Sequence, residues 1–190
     1  MSHASGLVVS ILLTLGVAAC GAAKKEAEEA LARAERFYGG METEARKVLP
    51  AAVQPIADSL KQAKDLFAAG SYAEARAAAV NVAGEAVRVA KLVPGKRNEL
   101  DSTYKVTSIE ITGPVRQVVG KIQQHRNAGS VPRGMTRASF DSLRQDVATW
   151  EGEWKKAEEH YQKGEIGPAA SQALKVRTSI VGAMKLLGIR

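Results

Sequence analysis

Apolar residues along the chain recur at alternating steps of four and three, the stripe of a helix that buries one face. Leu49, Val53, Ile56, Leu60, Ala63 and Phe67 follow this rule, and so, 94 positions later, do Leu143, Val147, Trp150, Trp154, Ala157 and Tyr161. Each stripe reaches a lone glycine, Gly70 or Gly164, where the absence of a Cβ permits the left-handed backbone that ends a helix. A return stripe follows, Tyr72, Ala75, Ala79, Val82, Ala86, Val89, Val93 in the first case and Ile166, Ala169, Ala173, Val176, Ile180, Ala183, Leu187 in the second. The pattern predicts an internal repeat at an offset of 94, residues 49–93 and 143–187 each forming a helical hairpin.

The remaining segments extend each hairpin by one helix. Residues 22–38 carry Ala27, Leu31, Ala34 and Tyr38 on one face, and Gly39 and Gly40 are expected to end that helix. Pro50 and Pro55 predict a break or kink between residues 47 and 55, with regular helix from there to 69. Ser71 and Glu74 have capping-box spacing for the return helix, which is expected to run to about Leu92 before Pro94 and Gly95 close the half. Asp101 or Ser102 would cap the start of the second half. Residues 104–111 are open between helix and strand, since Tyr104, Val106, Ile109 and Ile111 partly alternate. Helix to about Arg126, disturbed at Gly113 and Pro114, is favoured, because Ile111, Val115, Val118 and Ile122 repeat the first helix's spacing at an offset of 84. Ten extra residues must then enter, most of them at 127–134. Thr136 is the expected cap of the next helix, with Met135 and Phe140 as its hydrophobic staple and its end near Lys163. Pro168 falls in the first turn of the last helix, where its missing N–H costs little. The fold class is therefore all-α, two related three-helix units packed as one domain over 24–190, with halves 24–95 and 101–190. Gly70 to Ala75 resembles the turn and second-helix start of a tetratricopeptide repeat. The resemblance implies only helical-hairpin packing and a capacity to bind protein, since that family repeats at 34 residues.

Residues 1–19 have another character. Gly6 to Ala19 is apolar apart from Ser10 and Thr14, short of the about 20 residues that span a bilayer and suited to a signal-peptide core. Val17, Ala18, Ala19 and Cys20 resemble the lipobox of bacterial lipoproteins. That resemblance implies cleavage after Ala19, lipidation of Cys20 and a spacer at 20–23 that holds the domain close to the membrane. Cys20 is the only cysteine and has no disulfide partner. Met1 to Gly6 lacks the Lys or Arg usual in such signals, which leaves open whether Met1 is the true start. Gly21, where enteric inner-membrane lipoproteins carry aspartate, implies the outer membrane, facing the periplasm.

Composition supports helices and argues against familiar catalytic chemistry. Aromatics make up 5% of the chain, and Gly and Pro fall mostly between the periodic segments. No Gly-rich phosphate loop, nucleophile elbow, His-Glu-x-x-His or Cys pair occurs, so no cofactor, metal or enzyme activity is expected. His125 and His160 read as solvated side chains, and Trp150 and Trp154, on the buried stripe, read as core.

Charge adds one candidate site. The chain carries net +7, and residues 95–145 hold nine Lys or Arg against four acids. An exported protein excludes nucleic acid as partner, leaving anionic lipid or an acidic envelope protein. Arg126, Arg133 and Arg137, in and around the 127–134 insertion, are the candidate binding residues, because guanidinium engages phosphate or carboxylate bidentately. The expected function is that of a lipid-anchored, non-catalytic interaction or assembly factor. The Ala-rich return helix favours this, since small side chains pack closely and leave little room for a cavity. The alternative is a binder or carrier of lipid or another apolar ligand.

Overall fold

Six helices form the described chain: α1 Gly6–Val48, α2 Pro50–Ala68, α3 Tyr72–Glu110, α4 Thr112–Asn127, α5 Arg137–Gln162 and α6 Ile166–Leu186. The computed structural model describes residues 6–189, with side chains from residue 21 onward. The side chains of the signal segment at 1–19 and of Cys20 lie outside the described residues. The fold is all-α, and 104–110 is helix: Tyr104, Thr107 and Ile111 are buried while Val106 and Ile109 face solvent, a period near four and not two. The chain divides into two compact units, residues 1–93 and 94–190.

In the first unit, α1 buries Ala27, Ala30, Ala34, Met41, Ala45 and Val48. The expected stop at Gly39 and Gly40 does not occur. Two glycines cost a helix only about 1 kcal/mol each, and Met41, Ala45 and Val48 continue the buried stripe beyond them. The break comes at Leu49 alone, inside the predicted window. Pro50 then opens α2 where an N–H would go unused, and Pro55 sits within the helix. Lys64 Nζ lies 2.7 Å from Glu35 Oε1, residues nearly equidistant from Leu49, so α1 and α2 run antiparallel. Arg76 Nε, 3.4 Å from Glu26 Oε2, places the start of α3 alongside α1.

Between α2 and α3 the chain turns on Gly70, at φ +81°. The Ser71 N–H donates to the Leu66 carbonyl and the Gly70 N–H to Phe67, the paired closing bonds of a Schellman end. Gly164, at φ +72°, makes the same pair of bonds to Tyr161 and, through the Glu165 N–H, to His160.

Helix α3 does not end near Leu92, and Asp101 and Ser102 are not caps. The helix passes through Pro94 and Gly95 to Glu110. Proline removes one N–H yet keeps a helical φ, so its cost of about 3 kcal/mol can be met when both flanks bury apolar residues, here Val93 and Tyr104. The break at the second site falls at Ile111: Pro114 has no N–H for the Glu110 carbonyl, and α4 begins afresh at Thr112.

The second unit packs in three layers. Phe140 and Leu143 of α5 meet Val118 and Ile122 of α4 and Ala183 and Leu187, with Val147 and Met135 against them. Ile111 meets Val176 and Ile180. Tyr104 meets Ala157, Ala169, Ala170 and Ala173, with Tyr161 and Trp154 partly covered beside them. Ascending residue numbers in α3 and α4 thus meet ascending numbers in α6 and descending ones in α5. The Thr136 cap is present, its Oγ1 accepting from the Ser139 N–H at 3.1 Å, and the 128–136 connection is a loop as expected.

Candidate functional site

The break at Ile111 sits beside the two tryptophans. Ser108 and Ile111 on one side of it and Thr112 and Val115 on the other form one wall of a cleft of about 230 Å³; Val147, Trp150, Glu151 and Trp154 of α5 form the opposite wall, and Val176 of α6 lies between them. Trp150 and Trp154 pack against the core clusters as expected, but both are only partly buried. Their positions are set by the α5 stripe, but indoles are too large to be covered by the Ser and Thr that face them. Ile56 and Leu60, which occupy the matching stripe positions of α2, are smaller and buried.

Fixed neighbours hold one side of this cleft. The Trp154 indole N–H donates to Glu158 Oε1 at 2.9 Å, and the ring stacks on Tyr104 with centroids 5.8 Å apart and planes 5° from parallel. Tyr104 stacks in turn on Tyr161 at 4.2 Å. The Tyr161 hydroxyl donates to Asp101 Oδ1 at 2.8 Å, and Lys105 pairs with the same carboxylate at 2.6 Å. Lys105 first, then Tyr161, hold the Asp101 carboxyl below its usual pKa, while the bond to Asp101 pushes the Tyr161 phenol up. Burial pushes the Tyr104 phenol up. The hydroxyls on the cleft's wall are spent within their own helices, Ser108 on the Lys105 carbonyl and Thr112 on the Ser108 carbonyl. The cleft is left with aromatic and aliphatic surface and the Glu151 carboxylate.

Val147 and Glu151 also line an adjoining open groove between α4 and α5. Arg126, Arg137 and Arg144 line this groove with Asp141. Of the predicted basic site the structure brings Arg126 and Arg137 together. Arg133 is not part of the groove, and Arg144, two helical turns from Arg137, takes the third place. Asp141 pairs with Arg144 at 3.1 Å and with Arg137 at 3.7 Å, both partly exposed. Sequence reasoning missed Arg144, Ser108, Thr112 and Glu151. The available signal was the indole pair beside Pro114, a wide stripe opposite a helix break.

His125 and His160 are partly exposed, and each has a side-chain partner. His160 Nδ1 bonds Glu165 at the α5–α6 turn, and His125 Nδ1 lies 3.0 Å from Ser130 Oγ with its ring edge-on to Phe140. Among the described residues no cluster of three or more His, Cys, Asp or Glu could hold a metal ion, and no helix is long and apolar enough to cross a membrane. No family model, curated protein or solved structure matches the chain.

Proposed function

We propose that the chain is a non-catalytic binding protein of the bacterial envelope, held at the membrane face by lipid on Cys20, whose second unit receives an apolar group in the Trp150–Trp154 cleft. The cleft carries the reading. Closely packed helices leave few voids larger than a water molecule, and this opening is lined by indole and aliphatic surface with its hydroxyls already satisfied. A dry engineered cavity of about 150 Å³ accepts benzene, so the cleft has room for a ring or a short stretch of alkyl chain. Apolar-ligand binding therefore stands ahead of scaffolding. Ala75, Ala79 and Ala86 of α3 are fully buried, whereas the cleft opens where the indoles of α5 face Ser108 and Thr112.

The anchor rests on the lipobox resemblance and on Cys20 having no disulfide partner. Two acyl chains hold a protein stably where one is marginal. The outer membrane, periplasmic side, is the proposed address. The repeat of two related three-helix units is supported by matched burial at the offset of 94: Ala63 with Ala157, Ala75 with Ala169, Ala79 with Ala173, Val82 with Val176, Ala86 with Ile180, Val89 with Ala183 and Val93 with Leu187 are buried in both members.

Scaffolding keeps one specific observation in its favour, the open groove of the first unit, where Phe37 and Val80 are 44% and 53% exposed.

Both tryptophans of the chain line the cleft, so tryptophan emission reports on its occupancy. Decanol is expected to shift the emission saturably below its solubility limit. Ser108→Phe, which fills the cleft from a partly exposed position, should abolish the response; a response unchanged by that substitution would sink the reading. For the anchor, Cys20→Ser should release the protein from membranes and prevent uptake of labelled palmitate, and retention of both would overturn it.

A further inference from the structure

We infer that the ligand of this cleft is a single-chain amphiphile with an anionic head, its alkyl chain between Trp150 and Trp154 and its carboxylate or phosphate on Arg126 and Arg144. The inference rests on the cleft reading above and adds the head group. Its basis is that the apolar cleft and the arginine groove are continuous, sharing Val147 and Glu151 as common wall.

Along α5, Arg144 and Trp154 are ten residues apart, about 15 Å at 1.5 Å per residue, comparable to an extended decyl chain. The two ends of the site differ in chemistry as the two ends of such a molecule do. Arg126 has no ion pair among the described residues, and it faces the groove from the end of α4. Arg144 is held only by the exposed Asp141, and an exposed pair of that kind is worth little, so an incoming anion can take its place. Guanidinium groups from two helices can grip one carboxylate or phosphate from two sides.

Glu151 sets the direction. It stands seven residues from Arg144, about 10 Å away along the helix axis, close to the screening length in physiological salt. An anionic head is therefore disfavoured at the cleft's mouth and favoured at the arginine end. A cationic head at that end would meet three arginines against the single carboxylate of Asp141, which Arg137 and Arg144 already engage.

The full chain bearing Cys20→Ser is titrated with decanol, decyl phosphate, decanoate and inorganic phosphate, with tryptophan emission as readout. Decyl phosphate or decanoate should bind at least about tenfold tighter than decanol, the equivalent of one charge-assisted contact. The advantage should shrink in moderate salt. Arg126→Gln with Arg144→Gln should erase it while leaving decanol affinity unchanged; both side chains are exposed, so folding is not at risk. Which of the two anions binds tighter tells a fatty carboxylate from a lysophospholipid-type phosphate, and inorganic phosphate alone should leave the emission unmoved. If decanol itself does not bind, the cleft reading falls and this inference with it. If decanol binds and neither anion binds tighter, or the double substitution leaves the advantage intact, the cleft stands and the anionic head is wrong.

Discussion

Single methyl groups set the spacing of this protein's helices. Ala79 and Ala173 are fully buried, as are Ala75 and Ala169 one turn earlier. A larger side chain at such a point overpacks the contact at a cost of about 1 to 3 kcal/mol. Ala79→Leu and Ala173→Leu are each expected to lower the midpoint of thermal unfolding by several degrees, and an unchanged midpoint at either would show that the contact has slack. The tryptophans illustrate the opposite case. They obey the same helical spacing as the alanines but outgrow the groove available to them, and the resulting partial exposure makes the cleft. Residue identity along the stripe was readable; whether the facing wall could cover it was not.

At the level of elements, α3 is held in the second unit by polar contacts as well as apolar ones. Asp101 accepts the Tyr161 hydroxyl from α5 and pairs with Lys105 one turn on in α3. Its carboxyl is held below the usual range in the folded chain. A carboxyl lowered by folding contributes stability above its unfolded pKa of about 3.9, and that contribution is lost as pH falls through the folded value. Asp101→Asn should therefore be less stable than the parent in chemical denaturation near neutrality, with the gap closing in acid. A gap that stays constant down to pH 2 would mean the carboxylate charge is irrelevant. The element boundaries show where local rules fail. Gly39, Gly40, Pro94 and Gly95 are helix-ending residues by propensity, yet α1 and α3 run through them because buried residues on both sides reward continuation. At Leu49 and Ile111 the neighbouring prolines do interrupt the chain.

For the molecule as a whole, net charge adds a long-range attraction to anionic surfaces that no single site describes. Each basic residue near such a surface contributes about 1 kcal/mol, falling off within a Debye length. The Cys20→Ser chain should bind phosphatidylglycerol vesicles at low salt and lose most of that binding at moderate salt, and Arg126, Arg133 and Arg137 replaced together by Ser should weaken it further. Equal binding at both salts would assign the charge to solubility alone. The helical class, the hairpin turns at Gly70 and Gly164, the Thr136 cap and the faces that become buried were all determined by the sequence itself. These depend on period, on a missing Cβ and on bonds between near neighbours, which any stretch of chain carries with it. The exposure of Trp150 and Trp154, the continuity of their cleft with Arg126, Arg137 and Arg144, and the exclusion of Arg133 were decided by tertiary structure. They depend on which side chains from α3, α4, α5 and α6 face one another and on whether the volumes on the two sides match, and no single helix holds that information.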